Sequence, residues 1–103
     1  MRFKDKFITK REEIAYRIID GQTVIIPLDE DTLHYNKTVI FNKTATRIWQ
    51  LINGRRKAKD IVNLICKEFD VSQKKAENKV ENFIHKLKEK NLVIISDSHI
   101  LKR

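Results

Sequence analysis

Two β-prone runs, Tyr16-Arg17-Ile18-Ile19 and Thr23-Val24-Ile25-Ile26, stand on either side of Asp20-Gly21-Gln22. Asp-Gly supplies the positive-φ residues that a tight hairpin needs, so the chain is committed to an antiparallel pair within its first quarter. Pro27 has no N–H to give to a ladder and marks the end or the edge of the second strand, and Leu28-Asp29-Glu30-Asp31-Thr32 reads as a polar loop. A third strand is expected between Leu33 and Phe41, with Thr38 to Phe41 its β-prone half.

Beyond Phe41 the apolar period changes from two to between three and four. Asn42 or Thr44 can cap a first helix in which Ala45, Ile48, Trp49, Leu51 and Ile52 share a face, and Asn53-Gly54 stops it. Ala58, Ile61, Val62, Ile65 and Phe69 mark a second helix, with Asp60 near its N-terminus where a carboxylate suits the helix dipole. Ser72 can cap a third, carrying Ala76, Val80, Phe83, Ile84 and Leu87, and Asn91 can take the left-handed conformation at its end. Leu92-Val93-Ile94-Ile95 is again β-prone.

These elements predict an α+β, winged helix-turn-helix-like domain, a three-stranded antiparallel sheet followed by three helices and a terminal strand. A chain of 103 residues has room for one modest core, assigned to residues 14–95. Residues 1–13, rich in basic side chains and without a clear apolar period, read as a flexible basic arm; residues 96–103 read as a tail or wing. Cys66, the only cysteine, excludes an internal disulfide and reads as a small buried hydrophobe. No segment approaches the length of a membrane span, which together with the cysteine usage predicts a cytoplasmic protein.

The side chains that carry chemistry do not converge. His34, His85 and His99 fall on three different segments without a metal-ligand spacing, one cysteine cannot make a paired site, and Gly21 and Gly54 are occupied in turns. The reading is therefore of a non-enzyme without metal or cofactor. What the chain does carry is charge: 22 Lys and Arg against 14 Asp and Glu give +8, which draws in acidic partners. On the third helix Lys75, Lys79, Asn82, Lys86 and Lys90 form one stripe. Such stripes are commonly no more than solvated faces, but this one adjoins Phe83 and Leu87, so a partner could meet an apolar floor and a cationic wall together.

Phe41-Asn42-Lys43-Thr44-Ala45-Thr46-Arg47-Ile48-Trp49 resembles the strand-to-helix segment "LNxTAxxIW/L" of the PqqD-like family, the peptide-recognition domains of ribosomal-peptide modification pathways. Asn53-Gly54-Arg55-Arg56 stands at the place of that family's "DGxxT" turn. Val80-x-x-Phe83-Ile84-x-x-Leu87 with Asn91-Leu92-Val93 is similar to "DVxxFLxxLxxxGLI". The resemblance runs from about Tyr16 to Val93, with departures at Lys57 for a Thr cap, Lys79 for an Asp and Asn91 for a Gly. It implies a peptide chaperone, a RiPP recognition element, that takes the leader segment of a precursor peptide as an added strand. Thr38, Val39, Ile40 and Phe41 would supply the ladder, Phe83 and Leu87 the floor, and Lys75, Lys79, Asn82 and Lys86 the cationic wall. The implied partners are the precursor peptide and a modifying enzyme, such as a radical SAM enzyme, leader peptidase or cyclase; small basic members include the leader-binding proteins of lasso-peptide pathways. A homodimer swapped through the N-terminal arm is compatible with the same reading.

A rival reading takes the second helix, Asp70-Val71-Ser72 and the third helix as a helix-turn-helix, with residues from His99 to Arg103 on a wing, and gives a nucleic-acid-binding protein. Against it, the stripe holds no Arg, the usual bidentate reader of guanine, and the sheet precedes the helices.

Overall fold

The computed structural model describes residues 2–26 and 39–98. Strands β1 (Phe7–Lys10), β2 (Ala15–Ile19), β3 (Gln22–Ile26) and β4 (Val39–Phe41) precede helices α1 (Lys43–Leu51), α2 (Ala58–Phe69) and α3 (Gln73–Glu89), and β5 (Val93–Ser96) follows. The Asp20-Gly21 turn forms as expected, with φ of 52° and 77°, and Ile19 faces Gln22 across it. β2, β3 and β4 make the three-stranded antiparallel sheet, in that order. Pro27, the polar loop after it, Thr38 and the residues from His99 to Arg103 lie outside the described residues, and with them the loop and wing expectations.

Each helix starts where a side chain or carbonyl answers its free N–H groups. Asn42 Oδ1 accepts from Ala45 N at 2.8 Å, which settles the choice between Asn42 and Thr44. Ser72 Oγ accepts from Lys75 N at 3.2 Å, and Asn91 closes α3 at φ 62°. The inward faces of the three helices bury Ile48, Trp49, Ile61, Ile65, Val80, Ile84 and Leu87 against Ile25 and Phe41 of the sheet. Phe69, counted above among the apolar face of α2, is 39% exposed in its last turn, where the helix runs past the core. Cys66 is half-buried and its Sγ donates to the Val71 carbonyl at 3.0 Å. Among the described residues no helix is long and apolar enough to cross a membrane.

The N-terminal segment is not a loose arm. β1 pairs antiparallel with β5, Phe7 facing Ser96 and Lys10 facing Val93, and Phe3, Phe7 and Ile8 are buried. The reason lies in the first turn of α2, where Lys57 caps without a side-chain hydrogen bond. The orphan amides of Ala58 and Lys59 instead donate to the carbonyls of Lys6 and Lys4, both at 3.0 Å, and Asp60 accepts from Lys57 N at 2.9 Å. Gly54 N donates to the Ile8 carbonyl at 2.8 Å, and Lys6 pairs with Asp97. The backbone of residues 4–8 thus does the work of the missing Thr cap. Ile8→Ala is expected to lower stability by about 2–5 kcal/mol in a urea melt, as for a core aliphatic; an unchanged midpoint would return the segment to the status of an arm.

α1 and α2 are also clamped from outside, Arg47 Nε and Nη2 donating to Glu68 Oε2 and Oε1 at 2.7 and 2.8 Å. The hydrogen bonds from Arg47 hold the Glu68 carboxyl below its ordinary value. A lowered folded-state value stabilises above the ordinary carboxylate range and is lost as the pH falls towards that lowered value. Glu68→Gln should therefore cost about 0.5 kcal/mol at neutral pH, as expected for a partly exposed pair. The difference from the parent should close in acid, and a gap that persists unchanged in acid melts would assign the effect to packing.

Candidate functional site

β4 is three residues long and pairs with β3 on one side; among the described residues its other edge has no strand partner. What holds so short a strand is its last side chain. Phe41 is buried, its ring 4.8 Å from that of Phe83 in a T-shaped contact and 5.6 Å from that of Trp49. Trp49 is fully buried, with Tyr16 edge-on at 5.3 Å and the Lys10 ammonium 5.1 Å from its ring centroid. Lys10 in turn donates to the Ile52 carbonyl at 2.9 Å, which ties β1 into the same aromatic stack.

A buried hydroxyl pair fixes where β4 leaves the sheet. Thr46 Oγ1 accepts from the Thr23 amide at 2.9 Å and from the Thr23 hydroxyl at 2.8 Å, and donates to the Phe41 carbonyl at 3.4 Å. Both threonines are buried, so each bond replaces one that water cannot make. The end of β3, the end of β4 and the first turn of α1 meet at this one oxygen.

Between β4 and α3 lies a groove of about 230 Å³, lined by Val39, Ile40, Phe41, Asn42, Ala45, Phe83, Lys86, Leu87 and Lys90. Of the residues singled out in the sequence, Val39, Ile40, Phe41, Phe83, Lys86 and Leu87 line this groove together. Lys75, Lys79 and Asn82 are exposed on α3 but do not line the groove, which opens beside the C-terminal half of the helix. Asn42, Ala45 and Lys90 line it without having been counted among the site residues. Asn42 carried only a capping signal and Ala45 only a helical-face signal, and Lys90 was visible as the last member of the stripe. Among the described residues no acidic side chain lines the groove, and neither Lys86 nor Lys90 has a carboxylate partner.

His85 is exposed and its Nε2 lies 3.1 Å from Glu89 Oε1, one turn along α3; His34 and His99 lie outside the described residues. The described residues contain no group of three or more His, Cys, Asp or Glu placed to hold a metal ion.

Residues 22–93 match the family described as Coenzyme PQQ synthesis protein D (PqqD). The chain belongs to the PqqD family. The matched span begins at β3 and ends as β5 starts, so β1, most of its pairing with β5, and Lys4 and Lys6 that cap α2 lie outside it. Two solved structures share the fold with a TM-score of 0.68. One, "TbiB1 in Complex with the TbiA(beta) Leader Peptide", is 22% identical, with 82% of this chain and 93% of that chain covered. The other, "Lasso peptide synthetase B1 complexed with the leader peptide", is 23% identical, with 84% and 96% covered. No curated protein matches the sequence.

Replacing Thr46 by Val keeps the shape and removes the shared oxygen. The variant should lose about 1–3 kcal/mol, the cost of a stranded buried donor, and the Thr23 amide should exchange faster with deuterated solvent. Unchanged exchange at Thr23 would show that β4 is positioned without this oxygen.

Proposed function

We propose that the chain binds the leader segment of a ribosomally made precursor peptide as an extra strand on β4 and presents it to a modifying enzyme that carries the catalysis. The observation that supports this most directly is the juxtaposition of a strand edge, unpaired among the described residues, with an apolar, cation-walled groove. β-Augmentation needs both, main-chain partners for affinity and pockets beside them for choice. The two structural neighbours are leader-peptide complexes by their titles, which adds to the same reading.

The geometry supports a division of roles. β4 supplies the ladder, with Thr38 as its proposed extension; Phe83, Leu87 and Ala45 supply the floor; Lys86 and Lys90 attract carboxylates at one wall. Lys75 and Lys79 continue the cationic row along α3 and act at longer range, steering an acidic leader more than holding it, with the neutral Asn82 between them and the groove. Burying two apolar anchors contributes about 3–6 kcal/mol, and ordering a flexible leader costs several. The net is a dissociation constant of about 1 μM or tighter, near −8 kcal/mol. Holding the leader raises the effective concentration of the attached core peptide at the enzyme. Such a role is non-catalytic for this chain, and a cytoplasmic site of action suits a chaperone of newly made peptide.

The test is to search the neighbouring reading frames for a short precursor peptide and to titrate the chain calorimetrically with its leader. Binding should weaken by about tenfold or more in Phe83→Ala, the cost of truncating an aromatic anchor, and should survive moderate salt. Because Phe83 also packs on Phe41, the variant's melting temperature is measured alongside, and Lys86→Glu, an exposed change, provides an independent weakening. Indifference to the leader, together with duplex-DNA binding that falls steeply with salt, would overturn the reading in favour of a nucleic-acid binder.

A further inference from the structure

The hairpin turn determines which backbone groups of the sheet are free. A two-residue turn with both central residues at positive φ is closed by residues that exchange both backbone bonds, here Ile19 and Gln22. Bonded and non-bonded pairs alternate from there, so Arg17 and Val24 are bonded, while Thr23 and Ile25 turn their N–H and C=O away from β2. The Thr23 amide does point that way, to Thr46 Oγ1, the oxygen that also reaches the Phe41 carbonyl. Thr23 faces Phe41 and Ile25 faces Val39. β4 therefore uses the backbone of Phe41 and Val39 on β3, and Ile40, opposite Val24, turns its N–H and C=O to the open edge.

Side chains alternate in the opposite sense to that edge. Phe41 and Val39 pack inward, and Ile40 is 58% exposed on the outer face of the sheet. A guest residue bonded to Ile40 in an antiparallel ladder must likewise point outward, and its two neighbours must point into the groove. The groove they enter offers two kinds of surface, the apolar floor of Phe83 and Leu87 and the pair Lys86 and Lys90, a turn apart and without carboxylate partners among the described residues.

We infer that Ile40 sets the register of the guest, and that the site selects a three-residue in–out–in segment whose two inward side chains are one apolar and one acidic. The inference rests on the leader-binding reading and adds to it a ligand class and a pitch. The middle residue is chosen by its backbone, since its side chain lies outside the groove beside Ile40. Antiparallel pairing is assigned because every strand pair among the described residues is antiparallel and that ladder is the stronger.

The experiment is selection of a displayed library of short random peptides on the immobilised full-length chain, followed by backbone N-methyl scanning of the best binder. Enriched peptides should carry an apolar and an acidic residue separated by one position. N-methylation of the residue between them should weaken binding by about tenfold or more, the loss of a bond that the ladder cannot replace, and methylation of either neighbour should not. The Lys86→Glu/Lys90→Glu chain, altered at two exposed positions, should enrich Lys or Arg where the parent enriches acid and retain the apolar residue. On binding, the Ile40 amide should become protected from hydrogen exchange. If the Ile40 amide is protected but the spacing, the charge swap or the methylation pattern differs, the register is overturned and the leader-binding reading stands. If no peptide is retained, or binders leave the Ile40 amide unprotected, both fall together.

Discussion

The packing of Phe41 between Phe83 and Trp49 is the contact on which the rest of this architecture depends. A three-residue strand with a neighbour on one side has too few ladder bonds to hold itself in place. Here one buried ring fastens it to both α1 and α3, so that its outer backbone edge need not be paired for the strand to exist. The groove is a by-product of the same contact, because the ring that anchors β4 also sets its distance from α3. An exposed edge is ordinarily an aggregation hazard, and its shortness and the lysines beside it are the usual ways of restraining one.

The elements set by short-range signals were legible in the sequence. The Asp20-Gly21 hairpin, the caps at Asn42 and Ser72 and the left-handed Asn91 each depend on residues within four positions of one another, and the structure has each of them. β1 was not legible, for a physical reason. Its four residues offer too brief an alternation to distinguish a strand from a tail, and its partner β5 lies at the far end of the chain. The second task of the N-terminal segment, in which Lys4 and Lys6 just ahead of β1 supply their carbonyls to the first turn of α2, is done by main chain and leaves no trace in side-chain pattern. The one hint was negative, Lys57 standing where a Thr cap was expected.

The candidate site was legible in its face but not in its extent. Helical periodicity placed Lys75, Lys79, Asn82, Lys86 and Lys90 in one row, and the row exists as a solvent-exposed stripe. Periodicity says nothing about where along a helix another element crosses. β4 meets α3 at Phe83, so the groove takes in Lys86 and Lys90 and leaves Lys75 and Lys79 beyond its end. That distinction needed the tertiary contact between Phe41 and Phe83, which no local pattern encodes.

The separation of roles on α3 has a consequence for how such a surface can evolve. Main-chain bonds along β4 are indifferent to sequence, so they supply affinity to any extended guest and cannot by themselves discriminate. Discrimination falls to the few side chains that reach the groove, and of these Phe83 and Leu87 are also part of the core. Changing them alters the fold together with the preference. Lys86 and Lys90 are exposed and bear no structural duty among the described residues, so the charge of the wall can be rewritten without disturbing Phe41 or the strand it holds. If the groove holds a leader as proposed, specificity between related peptides is expected to drift through the cationic wall, while the apolar floor and the edge of β4 stay as they are.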